Sequence, residues 1–252
     1  MKVLALNGSP RMKKGNTALI LDPFLEGMRE EGAEVELYYT KNLKINPCQG
    51  KFICWTKTPG KCWQKDDMQM LLPKICEADI LVLGTPVYLD SVSGPIKNVM
   101  DRMIPLVHGT IEMRDGHCRH PLREECKRGK VVLVSNCGFW EIDNFDPMIV
   151  QMKAWCKNTS REFAGALIRP HGEGLRPAMK MGLPVDEIFD AAKEAGRQLV
   201  KEGKMSLETL KIVSRELMPL EMYVQSVNDI IQYAIEAEIK LGKASLNSLK
   251  KN

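Results

Sequence analysis

The sequence lacks several features that would assign a protein class at once. It has no run of the roughly 20 apolar residues that a membrane-spanning helix requires, so we expect no membrane span. Lysine and arginine exceed the acidic residues by a formal charge of only +4 and are dispersed, so nothing favours a nucleic-acid partner. The 252 residues otherwise have an ordinary globular composition, and a chain of this length can bury one sizeable core.

The cysteines form none of the usual metal or redox motifs. None of the eight forms a Cys-x-x-Cys pair, which argues against a zinc ribbon and a thioredoxin-type site. The first residues enter a strand-like run rather than a signal peptide, so we expect a cytoplasmic protein whose cysteines are buried, catalytic or ligating. The segment 117–120, His-Cys-Arg-His, lacks further ligands at a convincing spacing, and we predict no metal site.

Short apolar runs rich in β-branched residues alternate with longer amphipathic stretches, which is the pattern of βαβ units. We predict five strands, over residues 2–7, 34–39, 79–85, 130–136 and 162–168. We predict five helices between and after them, near residues 16–31, 68–76, 94–107, 147–158 and 185–203. The alternation indicates an α/β fold with three layers and a doubly wound, five-stranded parallel sheet. We assign this domain to residues 1–203.

A helical C-terminal extension follows at residues 204–252, with helical patterns over 207–217 and 220–241. Its apolar stripes have no partner in a sheet whose two faces are already covered. We expect a neighbouring subunit to cover them in a homo-oligomer, and an extension that wraps over its own domain is the alternative.

The loop between the first strand and the first helix has the composition of an anion site. Free backbone N–H groups and the helix dipole both favour negative charge at such a position. The motifs Gly-x-x-x-x-Gly-Lys-Ser/Thr and Gly-x-Gly-x-x-Gly are absent, which disfavours a nucleoside triphosphate and a Rossmann dinucleotide. We predict a monophosphate held by Ser9, Arg11, Asn16 and Thr17, with a plain helix cap as the alternative.

Two later loops, residues 85–91 and 135–140, follow the third and fourth predicted strands and combine aromatic residues with glycine or proline. Ligands of open α/β sheets bind beyond the carboxyl ends of the strands. These loops would form a flat apolar slot, and a monophosphate site beside such a slot fits FMN. Core packing of Tyr88, Phe139 and Trp140 under their own loops is the alternative.

The chain resembles the NADPH-dependent FMN reductase family of flavodoxin-like proteins in three motifs at successive strand ends. The motifs are Asn7-Gly8-Ser9-Pro10-Arg11 with Gly15-Asn16-Thr17, Thr85-Pro86-Val87-Tyr88, and Asn136-Cys137-Gly138-Phe139-Trp140. The resemblance covers about residues 1–169 and is greatest for the iron-sulfur flavoprotein branch. It implies non-covalently bound FMN, dimers or tetramers, and phosphate contacts from the four loop residues above. It also implies ring contacts from Pro86, Val87, Tyr88, Leu89, Asn136, Cys137 and Gly138.

One segment departs from that branch, which places four cysteines in a compact Cys-x-x-Cys-x-x-Cys…Cys run around an iron-sulfur cluster. Cys48, Cys54 and Cys62 stand at the first, third and fourth positions, but Lys51 stands at the second. An ammonium group has no lone pair to offer iron. We therefore expect no [4Fe–4S] cluster; this loop either folds toward the flavin or a neighbouring subunit, or buries ordinary structural cysteines.

These features predict an FMN-dependent oxidoreductase in which the flavin, rather than a catalytic side chain, supplies the chemistry. NADPH or NADH would reduce the flavin, which would pass electrons to a quinone, free flavin, another small acceptor or an electron carrier. We expect Arg114, Arg119, His120 and Arg123 to attract an anionic substrate or the 2′-phosphate of NADPH near the flavin. A non-enzymatic flavodoxin-like electron carrier, an iron-sulfur flavoprotein and a nucleotide-binding regulatory module are the alternatives.

Overall fold

A computed structural model describes residues 1–249 of the chain, with side chains described for residues 1–238. Within this range the strands are β1 (Lys2–Asn7), β2 (Glu34–Tyr39), β3 (Ile80–Pro86), β4 (Glu112–Arg114), β5 (His117–Arg119), β6 (Lys130–Asn136) and β7 (Glu162–Arg169). The main sheet is parallel and has the order β2-β1-β3-β6-β7, whereas β4 and β5 form a separate antiparallel hairpin. Counted along the chain, the main sheet has the flavodoxin-like order 2-1-3-4-5, so the predicted fold class is confirmed.

Helices connect the strands of this sheet and follow the last of them. They are α1 (Asn16–Glu30), α2 (Ile53–Thr56), α3 (Met68–Glu77), α4 (Gly94–Asp101), α5 (Asp146–Asn158), α6 (Leu175–Lys180), α7 (Asp186–Glu202), α8 (Leu207–Ser214) and α9 (Leu220–Leu249). The predicted helix over 94–107 ends early, at Asp101. Pro105 explains the difference, because its ring would clash with the carbonyl four residues earlier if the helix continued.

Helices cover both faces of the sheet, which is why all seven residues of β3 are buried. On one face, Leu4, Leu81 and Val131 belong to the same apolar cluster as buried residues of α3, α4 and α5. On the other face α1 packs against β3, β6 and α7. Successive side chains of each strand point to opposite faces of the sheet, so the strands contribute to two separate cores.

Two glycines bring α1 and α7 into backbone contact. A Cβ atom on Gly27 would lie 1.9 Å from the carbonyl oxygen of Lys193, and one on Gly196 would lie 2.0 Å from that of Phe24. At the edge of this contact the Lys193 ammonium pairs with the carboxylates of Glu26 and Glu30 at 2.7 and 2.6 Å. No larger residue fits at either glycine unless the helices move apart.

The first compact unit extends beyond the expected boundary at residue 203, to Arg215. The reason is that α8 packs against α7 and β7, and the buried Arg169 guanidinium donates to the carbonyls of Val213 and Arg215, each at 2.7 Å. The first part of the predicted extension therefore wraps over its own domain.

The second unit begins at Glu216 and contains α9, on which Val227, Ile230, Ile231 and Ile235 are at least partly exposed. Residues 250–252 of the predicted extension lie outside the described residues. Among the helices that the structure describes, none is both long and apolar enough to cross a membrane.

Two long segments that contribute no strand to the main sheet, residues 43–67 and 105–129, are tied to the domain by polar and covalent links. The Arg102 guanidinium donates to both carboxylate oxygens of Asp66, at 2.6 and 2.9 Å, and both side chains are almost completely buried. Cys76 and Cys126 form a disulfide between the end of α3 and the segment before β6. The expectation that the cysteines are not disulfide-bonded is therefore wrong for this pair, which the fold brings together across 50 residues.

Candidate functional site

The carboxyl ends of β1, β3 and β6 meet at one edge of the sheet. After β1 the chain crosses to β2 on one side and then returns to β3 on the other side of β1. The edge between β1 and β3 is therefore the topological switch point, where open α/β sheets bind their ligands. We call the depression at this edge the strand-end cleft; it encloses about 230 Å³. Its lining residues are Ser9, Arg11, Asn16, Thr17, Pro86, Val87, Tyr88, Asn136, Gly138 and Glu173.

The phosphate loop, residues 8–17, forms one wall of the cleft. The Asn7 side-chain oxygen accepts the Ser9 N–H at 2.9 Å, and the Ser9 carbonyl accepts the Met12 N–H at 3.1 Å. The loop must turn tightly, because a Cβ on Gly15 would lie 2.4 Å from the Ser9 hydroxyl oxygen. The Ala18 N–H donates to the Gly15 carbonyl at 3.2 Å. Since α1 begins at Asn16, the N–H groups of Asn16 and Thr17 have no partner within the helix, and such groups favour an anion.

Asn16 and Thr17 bring side-chain groups to the same wall. The Thr17 hydroxyl donates to the Asn136 side-chain oxygen at 2.6 Å, which joins the start of α1 to the loop after β6. The Asn16 side-chain oxygen accepts from the Arg176 guanidinium at 3.3 Å. Its Nδ2 is buried and has no hydrogen-bond partner among the described residues. A buried donor of this kind suits a ligand that accepts hydrogen bonds.

The loop after β3 forms the opposite wall and is held in an unusual conformation. The Val87 N–H donates to the Asn136 carbonyl at 2.8 Å, so the loops after β3 and β6 are joined. Tyr88 and Ser91 exchange two backbone hydrogen bonds around Leu89 and Asp90, which have φ values of 46° and 61°. Two non-glycine residues in the left-handed region cost conformational energy, and such strain is concentrated at functional sites.

Two of the predicted site residues do not line the cleft. The Leu89 side chain is 98% exposed at the tip of its turn. The Cys137 side chain is buried, and its thiol donates to the Phe139 carbonyl at 3.2 Å. Burial raises the pKa of the Cys137 thiol, so this group stays protonated at neutral pH. The other predicted residues line the cleft together. The Cys137 N–H donates to the Arg169 carbonyl at 3.2 Å, and the Cys137 carbonyl accepts the Gly172 N–H at 2.9 Å.

Besides the two walls, residues from the segment after β7 also reach the cleft, and they were not predicted from the sequence. Glu173 lines the cleft, and the Arg11 guanidinium lies 3.4 Å from its carboxylate. Arg176 contacts the phosphate loop from α6. The sequence does contain a signal, since Pro170-His171-Gly172-Glu173-Gly174 follows the fifth predicted strand and must reach the same edge of the sheet.

His171 anchors this segment in the core. It is completely buried and has a φ of 37°. Its backbone N–H donates to the Phe139 carbonyl at 2.7 Å. Its Nε2 lies 2.7 Å from the Arg169 guanidinium, which can only donate, so Nε2 is the acceptor and Nδ1 carries the proton. Burial, together with the charge of Arg169, lowers the pKa of His171 to about 4. The imidazole is therefore neutral at pH 7.

The loop that carries Cys48, Cys54 and Cys62 contributes no residue to the lining of the cleft. Arg102 donates to the Cys62 sulfur at 3.3 Å, and the Lys51 ammonium lies 4.1 Å from the centre of the Trp63 ring. Burial, with the nearby Cys62 and Cys48, raises the pKa of the Cys54 thiol. In residues 1–249, as far as side chains are described, no group of three or more His, Cys, Asp or Glu residues is placed to hold a metal ion.

The basic residues of segment 105–129 do not serve the cleft as expected. Arg114 donates to the Lys157 carbonyl at 3.0 Å, and Arg119 donates to the Asn158 side chain. These partners lie at the end of α5, which runs from the carboxyl end of β6 back to the start of β7, at the opposite edge of the sheet. The predicted attraction of an anion near the flavin is therefore wrong for Arg114 and Arg119.

The other two basic residues of that prediction are also engaged away from the cleft. Arg123 is buried and donates to the Pro105 carbonyl at 2.7 Å. The His120 ring packs against the Trp55 ring at an interplanar angle of 37°, with 4.6 Å between their centres. Neither residue lines the cleft.

A flavodoxin-like sheet with an anion-binding loop after β1 and a slot between two later loops defines a class, the α/β proteins that bind a mononucleotide at the β1/β3 switch point. The family model of the NADPH-dependent FMN reductases matches residues 1–136, more than half of the chain. The protein therefore belongs to the NADPH-dependent FMN reductase family.

Curated relatives include an iron-sulfur flavoprotein of Methanocaldococcus jannaschii, 43% identical over 106 residues that cover 42% of this chain and 53% of that protein. Another is an iron-sulfur flavoprotein of Archaeoglobus fulgidus, 39% identical over 115 residues that cover 46% of this chain and 55% of that protein. The chain thus spans about half the length of the curated relatives it matches.

Solved structures share the fold at low identity. An NAD(P)H:quinone oxidoreductase from Methanothermobacter marburgensis has a TM-score of 0.58 and 18% identity, over 79% of this chain and 96% of that one. An FMN-dependent NADH-azoreductase from Bacillus anthracis, solved with FMN, has a TM-score of 0.57 and 15% identity, over 79% of this chain and 99% of that one. At such identities the likeness establishes the fold alone.

Proposed function

We propose that this protein is an FMN-dependent oxidoreductase that takes electrons from NADPH or NADH and delivers them to a quinone, free flavin or another small acceptor. The observation that carries the proposal is the strand-end cleft, where an anion-binding loop continues into a slot between the loops after β3 and β6. Family membership supports it, as do fold neighbours named as a quinone oxidoreductase and an FMN-dependent azoreductase.

The phosphate loop suits the 5′-phosphate of FMN. Asn16 offers a buried amide donor with no partner in the described part of the chain, and Arg11 offers a guanidinium at the mouth of the cleft. The Ser9 hydroxyl lines the same wall. Because the Thr17 hydroxyl already donates to Asn136, we assign the Thr17 backbone N–H, in the first turn of α1, to the phosphate.

The slot suits a flat ring. Pro86, Val87 and Tyr88 would flank it on one side, and Asn136 and Gly138 on the other. When bound, FMN would supply two-electron transfer between a reduced nicotinamide and the acceptor. The protein's part is to hold and orient the ring: the Val87–Asn136 backbone bond fixes the spacing of the two loops, and Tyr88, 52% exposed, lies at the mouth.

The test is to purify the protein, identify any released flavin, and titrate flavin-free protein with FMN. NADPH and NADH are then added separately under anaerobic conditions while flavin absorbance is followed. We expect FMN to be released on denaturation and the bound flavin to be bleached by at least one nicotinamide. A protein that binds FAD alone, or no flavin, would refute the proposal, whereas bound FMN that neither nicotinamide reduces would indicate the non-enzymatic electron carrier.

The second candidate is a cluster-bearing electron-transfer protein, favoured by the names of the curated relatives. Three cysteines of the expected four are present, Cys48, Cys54 and Cys62. Lys51 argues against a cluster, because its ammonium packs on Trp63 and cannot ligate iron. The absence of a cluster, the cytoplasmic location and the homo-oligomer all stay predictions.

A further inference from the structure

Two side chains of opposite charge reach the phosphate loop from a single segment, residues 171–176. We propose that this segment sets the selectivity of the cleft for the phosphorylated flavin: Arg176 holds the phosphate loop in its binding shape, and Glu173 occupies the Arg11 guanidinium until phosphate displaces it. The inference rests on the proposed binding of FMN with its phosphate at this loop. It makes Arg176 a positioning residue and Glu173 a competitor of the ligand.

The segment is rigidly placed. The N–H of the buried His171 donates to the Phe139 carbonyl at 2.7 Å, and the Gly172 N–H donates to the Cys137 carbonyl at 2.9 Å. A Cβ on Gly172 would lie 3.1 Å from the Cβ of Asn136, so the segment packs directly on the loop after β6. Leu175 at the start of α6 is completely buried. Glu173 and Arg176 are therefore presented to the cleft from a fixed backbone.

Arg176 makes three hydrogen bonds to the phosphate loop. Its Nη2 donates to the carbonyls of Lys14 and Gly15, at 3.0 and 3.3 Å, and its Nε donates to the Asn16 side-chain oxygen at 3.3 Å. These carbonyls immediately precede the start of α1. A planar guanidinium can contact all three acceptors at once, which the compact ammonium of a lysine cannot do.

The same contact decides which end of the Asn16 amide is left for a ligand. A guanidinium only donates, so the amide atom beside it must be the oxygen. The Nδ2 donor is then the buried atom without a partner in the described residues. Without Arg176 the Asn16 amide could rotate and turn its oxygen toward the phosphate. The partial negative charge of that oxygen would repel the phosphate.

Glu173 acts in the opposite direction. Its carboxylate lies 3.4 Å from the Arg11 guanidinium, and both residues line the cleft. A phosphate that uses Arg11 must displace this carboxylate and then lie beside it, and like charges at that range repel. Both side chains are more than half exposed, so the repulsion is screened and its effect on affinity is moderate.

The experiment compares FMN with riboflavin, which has the same ring but no phosphate. Flavin-free wild type, R176Q, R176K and E173Q are titrated with each flavin by fluorescence quenching. We expect R176Q and R176K to bind FMN about tenfold more weakly, the loss of roughly one charge-assisted hydrogen bond. We expect E173Q to bind FMN about threefold to tenfold more tightly. Riboflavin affinity should change by less than about twofold in all three variants, because no phosphate is present.

Two matched controls remove the same charges elsewhere. R197Q removes an arginine paired with Glu30 on the helix layer, and E77Q removes an exposed glutamate paired with Lys2 at the far edge of the sheet. Both should bind FMN as the wild type does. If R176K retains wild-type affinity while R176Q loses it, Arg176 acts through charge alone and the positioning proposal is wrong.

The result separates this inference from the proposed function. A wild type that does not bind FMN, or binds it no more tightly than riboflavin, contradicts the assignment of the phosphate to this loop. A wild type that prefers FMN, with the same FMN-to-riboflavin ratio in every variant, contradicts the inference alone. If circular dichroism shows that the Arg176 variants do not fold, E173Q still tests whether this segment sets the FMN-to-riboflavin ratio, because it changes only an exposed carboxylate.

Discussion

The buried His171 predicts a loss of stability in mild acid. Its pKa is lowered to about 4 in the folded protein by burial and by Arg169, against about 6.5 in an unfolded chain. Between these values the unfolded state binds one more proton than the folded state, so acidification favours unfolding. For one such group, lowering the pH from 7 to 5 reduces the free energy of unfolding by about 2 kcal/mol.

The measurement is urea unfolding at the two pH values and constant ionic strength. The matched variant is His171→Asn, because asparagine tolerates the left-handed φ of 37° and its amide oxygen can accept from Arg169. We expect the wild type to lose about 2 kcal/mol more than this variant between pH 7 and pH 5. His117→Asn, which removes an exposed histidine, should behave as the wild type. Parallel losses in the wild type and His171→Asn would show that His171 is already protonated in the folded state, or does not titrate in this range.

Four further predictions concern the cofactor, the cysteines, the extension and the core. Replacing Arg11 and Thr17 together by alanine should weaken FMN binding at least about tenfold, as measured by fluorescence titration, because the Arg11 guanidinium and the Thr17–Asn136 link are both lost, and unchanged affinity would exclude the Arg11 side chain from the phosphate site. Iron and acid-labile sulfide in anaerobically purified protein should be far below one cluster per chain, and Lys51→Cys should raise both; near-stoichiometric iron in the wild type would contradict this expectation. Truncation after Arg215 should reduce the number of subunits found by light scattering or cause aggregation, and an unchanged assembly would show that the second unit does not hold it together. Gly196→Ala should lower the free energy of unfolding by about 1–3 kcal/mol, because its Cβ would overlap the Phe24 carbonyl, and a neutral effect would mean that the two helices separate without cost.

The opposed charges beside the cleft bear on how firmly flavin is held. A phosphate site whose arginine already has a carboxylate partner binds its anion less tightly than one whose arginine has none. Since Arg11 and Glu173 are both exposed, the exchange of one partner for the other needs no opening of the core. Under the proposed function, the flavin would then be held more firmly by Asn16 and the first turn of α1 than by Arg11.

The strands, most helices and the edge of the sheet that carries the site were predictable from the sequence. Apolar runs and helical periodicity are local consequences of burial and backbone geometry, so β1, β2 and β6 begin and end where predicted. Parallel strands joined by helices must also place all their carboxyl ends at one edge. Hence the loops after β1, β3 and β6 were predicted to meet, and the strand-end cleft contains residues from all three.

Only the tertiary structure decided which distant side chains meet. The short-range pattern does not encode the direction in which a loop leaves the sheet, and it therefore did not show that Arg114 and Arg119 lie at the opposite edge from the cleft. Nor does it encode pairing across long separations, such as the Cys76–Cys126 disulfide or the return of α8 onto β7. Arg176 and Glu173 belong to the same group, because their positions beside the phosphate loop depend on how the buried His171 turns the chain after β7. Local periodicity reports burial, whereas these contacts depend on the packing of the whole domain.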